Sequence, residues 1–144
     1  MMIRPGTIHD MKSILQIEQA VFPSPWTDKH FLYELKENPY AFLMVAEINN
    51  IVIGYVDFWI TFQQAQINNL AVHPQLQRKK IGSTLLQDAL QRIKTAGCQT
   101  VTLEVRVSNR AAQRLYLRDG FKIILTKKGY YDNGEDAFLM EKVL

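Results

Sequence analysis

Asn69-Leu70-Ala71-Val72-His73-Pro74, then Gln77-Arg78-Lys79-Lys80-Ile81-Gly82-Ser83, then Thr84-Leu85-Leu86 is the stretch that decides how this chain is read. A short apolar segment, a turn, a basic loop and a helix start follow one another. A loop at a helix N-terminus aims several backbone N–H groups at one point, and the helix dipole adds partial positive charge there. Arg78, Lys79 and Lys80 add more. The combination suits a phosphate or pyrophosphate. Taken alone, it suits a strand–helix connection with a solvated basic turn equally well.

Just upstream, Ala65 and Ile67 alternate in one phase and Leu70 and Val72 in the other. A slip of one residue at Asn68-Asn69 is what a β-bulge produces, and a bulge leaves backbone groups free for a ligand. Loose pairing at a strand end gives the same pattern. Downstream, Ile81, Leu85, Leu86, Ala89, Leu90 and Ile93 share one helical face that ends near Ala96-Gly97.

The remaining segments extend this unit in both directions. Ile3-Arg4 suggests a short strand. From His9 to Val21, Met11, Ile14, Leu15, Ile17, Ala20 and Val21 recur near helical spacing. Phe22-Pro23-Ser24-Pro25-Trp26 breaks that helix, Thr27 caps a second one bearing Phe31, Leu32 and Leu35, and Asn38-Pro39 ends it. Tyr40–Ile48 and Ile51–Ile60 flank Asn49-Asn50, a two-residue hairpin turn. Thr100–Val107 alternates strictly, with Val101, Leu103, Val105 and Val107 opposite Thr102, Glu104 and Arg106. Ser108 or Asn109 caps a short helix through Arg118, which Gly120 stops. Phe121–Thr126 and Asp136–Val143 close the chain as a strand pair around Asn133-Gly134. The order β-α-α-β-β-β-α-β-α-β-β mixes hairpins with helical crossovers and predicts an α+β, mixed α/β architecture.

Composition narrows the function classes. The 144 residues suit one domain over 1–144, and 47% of them are apolar. No apolar run approaches the roughly 20 residues that span a bilayer, and the N-terminus lacks a signal-peptide stretch. Cys98 is the only cysteine, which excludes an internal disulfide and makes a reducing, cytoplasmic setting the default. The net charge of +3 permits an anionic ligand without demanding nucleic acid. His9, His30 and His73 are scattered without metal-ligand spacing, so no metal is expected.

Over essentially its whole length the chain resembles the GCN5-related N-acetyltransferase superfamily. The acetyl-CoA segment of that family is a bulged strand, a Gln/Arg-x-x-Gly-x-Gly/Ala loop and a helix. Gln77 and Gly82 match the loop and Ser83 is small, but Lys80 stands where the pattern has glycine. Glycine reaches backbone angles that cost lysine energy and lets phosphate oxygens approach closely. Lys80 must therefore tolerate the local geometry or shift the loop, and weaker acetyl-CoA affinity is the expected consequence. Within the superfamily the chain is most similar to the ribosomal-protein-alanine N-acetyltransferase (RimI) type. Three stretches carry that likeness: Phe22-Pro23-Ser24-Pro25-Trp26-Thr27; Leu103-Glu104-Val105-Arg106-Val107-Ser108-Asn109 with Ala111-Ala112, Leu115-Tyr116 and Gly120-Phe121; and Tyr130-Tyr131 with Gly134-Glu135-Asp136-Ala137 and Met140.

The resemblance implies a twisted, mostly antiparallel sheet of about seven strands, with a bulge and splayed central strands, flanked by about four helices. It implies transfer of acetyl from acetyl-CoA to the α-amine of a protein N-terminus, the alanine of a small-subunit ribosomal protein. The partner is then a protein or peptide N-terminus, with no direct nucleic-acid or membrane contact. Leu70, Ala71, Val72, Gln77, Arg78, Lys79, Lys80, Ile81, Gly82, Ser83 and Asn109 become the acetyl-CoA residues. Glu104 becomes the base, acting through a bridging water, and Tyr116 the acid that protonates the departing thiolate. Read without the family, Glu104 is a solvent-facing glutamate and Tyr116 a half-buried aromatic beside Leu115 and Phe121. Asn109 has a second role open to it as a helix cap. Trp26 and Tyr131 line the peptide groove or serve as core and rim aromatics. Glu135 and Asp136 attract a basic peptide or sit in a solvated hairpin. Cys98 lies outside these motifs and is not read as a nucleophile. An acetyltransferase for lysine or small amines, or a non-catalytic CoA-binding module, are the competing readings.

Overall fold

In the computed structural model, which describes residues 1–144, the alternating stretches become seven strands: β1 (Met2–Pro5), β2 (Ala41–Ile48), β3 (Ile51–Thr61), β4 (Gln64–Val72), β5 (Thr100–Arg106), β6 (Lys122–Lys127) and β7 (Ala137–Val143). The helical stretches become α1 (Met11–Val21), α2 (Asp28–Lys36), α3 (Ile81–Thr95) and α4 (Arg110–Arg118). Short 3₁₀ turns at Ile8–Asp10 and Pro74–Leu76 precede α1 and α3. The strands form one sheet in the order β1-β2-β3-β4-β5-β7-β6, and only β4–β5 is parallel. This is the mixed α/β architecture expected, with its seven strands and four helices.

Local chemistry accounts for the boundaries. Asn49 and Asn50 sit at φ 52° and 66°, the left-handed pair that a tight hairpin turn requires. The Thr27 hydroxyl accepts from His30 N at 3.3 Å to open α2, and Asn109 Oδ1 accepts from Ala112 N at 3.2 Å to open α4. His9 falls in the 3₁₀ turn rather than in α1, because Asp10 folds back to accept from Thr7 N at 2.8 Å. Asp10 also takes the Arg4 guanidinium at 2.8 and 2.9 Å, tying β1 to the start of α1.

Two features of β4 place the site. Asp57 pairs with Asn69 and Phe58 with Ile67, which leaves Asn68 as the extra residue of a bulge. Pairing between β4 and β5 runs only from Gln64↔Thr100 to Ile67↔Leu103, although β4 continues to Val72 and β5 to Arg106. The two central strands therefore part just beyond the bulge. Core side chains fill both faces. Val56, Phe58, Ile67 and Leu103 pack with Leu85, Leu86, Ala89 and Ile93 of α3. On the opposite face Val45, Tyr55 and Ala71 pack with Ile14, Ile17 and Phe31 of α1 and α2. No helix is long and apolar enough to cross a membrane.

Candidate active site

A cleft of about 1130 Å³ opens where β4 and β5 part, and it is lined by Trp26, Leu70, Gln77, Glu104, Asn109, Tyr116 and Tyr131 among others. One cavity thus unites residues spread over more than a hundred positions. Ala71, Val72 and the loop from Arg78 to Ser83 are not among its lining residues. The β4 edge explains part of this. His73 N donates to Ile53 O of β3 at 2.8 Å. Because N–H groups alternate in direction along a strand, those of Val72 and Leu70 point to the open edge and that of Ala71 to β3. The Gln77 amide donates to Val72 O at 3.2 Å, so this side chain also fastens the loop to the strand. Ala71 and Ile81 bury their side chains in the core.

At the start of α3, Arg78 and Lys80 sit at φ 66° and 65°. Lys80 therefore adopts the left-handed backbone that glycine would take freely, at a cost of about 1–2 kcal/mol. Lys80 tolerates the local geometry, and its side chain makes no capping bond. The N–H groups of Ile81, Gly82 and Ser83 have no acceptor within the protein. Arg78, Lys79 and Lys80 form no ion pair. Free donors, dipole and unpaired cations converge at one helix end, as an anionic group requires.

Glu104, in mid-β5, faces the cleft and accepts from Lys127 Nζ of β6 at 2.9 Å. Its side chain is only 15% exposed, so it is not an ordinary solvated glutamate. That carboxylate raises the proton affinity of Lys127. Tyr116 is buried in α4, edge-on to Phe121 at 5.8 Å between ring centroids. Burial, reinforced by Tyr131, pushes the Tyr116 phenol upward, so it stays protonated. Asn109 caps α4, as expected, and also borders the cleft.

The rest of the cleft wall rests on buried polar groups. Trp26 stacks on His30 at 3.7 Å with 9° between the rings. Trp26 N donates to Glu18 Oε2 at 2.8 Å, while Asn69 Nδ2 (2.6 Å) and the Tyr55 hydroxyl donate to Glu18 Oε1. Burial raises the Glu18 carboxyl and the three donors oppose that rise. Elsewhere in the lining the Arg106 guanidinium lies 3.9 Å from the Tyr131 ring centroid. It also donates to Asn133 Oδ1 at 3.1 Å and Glu135 Oε1 at 2.9 Å. Burial pushes the Tyr131 phenol up to about 12. Glu135 further accepts from Ser108 N, and Asp136 from Gly129 N, both at 2.9 Å. These two acids hold the loop together, which neither reading of them from the sequence included.

Sequence reasoning missed Glu18, Glu34, Asp57 and Arg106. A signal existed for two of them: Glu18 interrupts the apolar stripe of Ile14, Ile17 and Val21, and Asp57 interrupts the apolar run of β3. Asp57 is fully buried, and neither its oxygens nor Asn68 Nδ2 meets a partner at hydrogen-bonding geometry, although Glu34 and Asn68 are its polar neighbours. Burial, with the neighbouring Glu34 carboxyl, pushes Asp57 up to about 10, so it holds a proton at neutral pH. Glu34 in turn accepts from Trp59 Nε1 at 2.6 Å and Asn38 Nδ2 at 2.8 Å.

A bulged strand, a parted edge, a helix start with free N–H groups, and a carboxylate and a phenol lining one cleft make up the site. Residues 11–121 match the acetyltransferase (GNAT) family model, and the chain belongs to that family. A Bacillus subtilis (strain 168) protein provisionally named a [ribosomal protein bS18]-alanine N-acetyltransferase is 40% identical over 139 residues, covering 96% of this chain and 92% of its own length. The N-alpha-acetyltransferase of Sulfurisphaera tokodaii is 34% identical over 151 residues, covering 96% of this chain and 90% of its own. The crystal structure of the ribosomal-protein-S18-alanine N-acetyltransferase from Escherichia coli superposes with a TM-score of 0.90 at 28% identity, over 99% of this chain and 92% of that one. The RimI-type resemblance therefore holds over the full fold.

Proposed function

We propose that the protein transfers acetyl from acetyl-CoA to the α-amine of a protein N-terminus, an N-terminal alanine of a small-subunit ribosomal protein. The observation that carries this reading is the single cleft holding both Glu104 and Tyr116 beside the free edge of β4. A pure binding module needs neither group. The names of the related proteins support an α-amine acceptor over a lysine.

Acetyl-CoA supplies an activated thioester. Its pantetheine arm pairs with the open edge at Leu70 and Val72, and its pyrophosphate takes the N–H groups at the start of α3 with Arg78, Lys79 and Lys80 around it. The amine attacks the carbonyl carbon only in its neutral form. An α-amine has a pKa of about 8 and a lysine about 10.4, so deprotonating lysine costs about 3 kcal/mol more. A carboxylate acting through one water suffices for the easier acceptor, and Glu104 takes that proton. The Val72 N–H stabilises the developing oxyanion. As the C–S bond breaks, the Tyr116 hydroxyl protonates the sulfur; the products are the acetylated amine and CoA. Trp26 and Tyr131 line the groove for the acceptor peptide.

The test is CoA release with acetyl-CoA and a short alanine-led peptide, alongside a peptide with a blocked N-terminus and a free internal lysine. Turnover on the alanine terminus alone is expected. Turnover on the lysine peptide alone reassigns the acceptor. Acetyl-CoA binding without turnover on any amine reassigns the protein as a binding module.

A further inference from the structure

Glu18 lies at the end of α1 with 1% of its surface exposed, yet no cation pairs with it. A buried carboxylate without a cation is a costly way to fill space. It does what an apolar side chain of that size does not: it accepts hydrogen bonds from three separate elements. Trp26 N belongs to the loop between α1 and α2, Tyr55 to β3, and Asn69 to the bulge of β4. Both carboxylate oxygens are engaged, so Glu18 is not itself free to receive an acceptor amine. Trp26 forms one wall of the cleft, and Asn69 directly precedes Leu70, whose N–H lies on the open edge. The same side chain therefore fixes an acceptor wall and the strand edge where the thioester would lie.

We propose that Glu18 is a positioning residue for acetyl transfer, locking the Phe22–Thr27 loop and the Asn68–Asn69 bulge into one rigid unit. This rests on the acetyltransferase reading above. Its consequence is geometric: loosening Glu18 lets the acceptor drift relative to the thioester, and misplacement near 1 Å costs on the order of 10²-fold in rate.

Three variants test it: Glu18→Gln, Asn69→Asp, and the two together. Glu18→Gln replaces one of the two acceptor oxygens with an NH2 donor, so the three donors that converge there are no longer all accepted, and Asn69→Asp sets two carboxylates against each other. The double variant exchanges amide and carboxylate between the two positions. The amide nitrogen introduced on α1 then donates to the carboxylate introduced in the bulge, while the amide oxygen still accepts from Trp26 N. Steady-state kinetics with an alanine-led peptide should show each single variant losing about 10- to 100-fold in kcat/KM, with acetyl-CoA affinity unchanged. The double variant should recover most of that loss. Hydrogen exchange on the same samples should show segments 22–27 and 68–72 losing protection together in Glu18→Gln. A double variant no faster than the worse single, or loss of protection in one segment only, overturns the proposal. Should Glu18→Gln fail to fold, Tyr55→Phe, which deletes one donor, replaces it, and wild-type kinetics and wild-type protection there overturn the proposal. Absence of turnover by the unsubstituted protein overturns the functional reading instead, and hydrogen exchange then still decides the role of Glu18.

Discussion

From Leu70 to Ser83 the protein offers a ligand mostly backbone: an open strand edge, a left-handed loop and three N–H groups without acceptors. Around Trp26 and Tyr131 it offers side chains, each held by a buried ion or acid. The two halves meet along the parting of β4 and β5 and answer to different physics. Backbone donors survive most changes of side chain, provided the local φ and ψ are kept. A wall hung on a buried carboxylate or guanidinium depends on single atoms, because an unpaired buried polar group costs far more than an exposed one. With acetyl-CoA on the first half and the acceptor on the second, as proposed, coenzyme binding should be robust and acceptor placement fragile.

Separating chemistry from binding gives the largest effect. Glu104→Gln should lower kcat by about 10²- to 10⁴-fold, and Tyr116→Phe by about 10²-fold, the usual range for losing a general base or acid. Calorimetric acetyl-CoA affinity should stay within about twofold, the scatter expected of independent sites. A matching loss of affinity in either variant would break the division between the halves. Full turnover in both would remove Glu104 and Tyr116 from the mechanism.

The buried acid beneath the acceptor side gives the next effect, on stability. Asp57 keeps its proton in the folded state up to about pH 10, whereas the unfolded chain releases it near pH 4. Across that window the unfolded state binds fewer protons, so this group's contribution is full below about pH 4 and declines as pH rises. The slope is about 1.4 kcal/mol per pH unit. Asp57→Asn has no proton to lose and places a neutral amide beside Glu34 at the same volume. Its stability advantage over the unsubstituted protein should grow by about 3 kcal/mol between pH 6 and pH 8, read by denaturant titration. Parallel curves at the two pH values would show that Asp57 is ionised in the fold. Acetyl-CoA affinity should not move, which sharpens the contrast between the halves.

The same contrast explains what could be read from the sequence. The coenzyme half is local: the phase slip at Asn68-Asn69, the basic loop and the face of α3 lie within some thirty consecutive positions. Periodicity and turn chemistry therefore reached the bulge, the caps at Thr27 and Asn109, and the Asn49-Asn50 turn. Glu104 and Tyr116 became candidates through resemblance, since a glutamate on the polar face of a strand announces nothing by itself. The acceptor half depends on contacts across 51 residues for Asn69–Glu18 and 29 for Arg106–Glu135, distances at which spacing carries no information. Glu135 and Asp136 looked like solvent-facing acids for that reason, since their partners come from the far end of β5 and from the loop at Gly129.

Lys80 gives the smallest effect and the closest test of the coenzyme half. Its backbone sits in the left-handed region, its side chain caps nothing, and its charge is unpaired. Lys80→Gly removes the backbone strain and one cation together. Relief of a left-handed non-glycine residue should stabilise the fold by about 1 kcal/mol, after the extra freedom glycine gives the unfolded chain. Loss of one exposed charge should weaken acetyl-CoA binding by less than about fivefold, and only at low salt, because exposed pairs are worth at most about 1 kcal/mol and are screened. If instead Lys80→Gly tightens acetyl-CoA at every salt concentration, the lysine side chain was obstructing the phosphates and backbone approach governs this half outright. If affinity falls more than tenfold, the lysine charge is a principal phosphate contact, and the coenzyme half leans on a side chain as heavily as the acceptor half does.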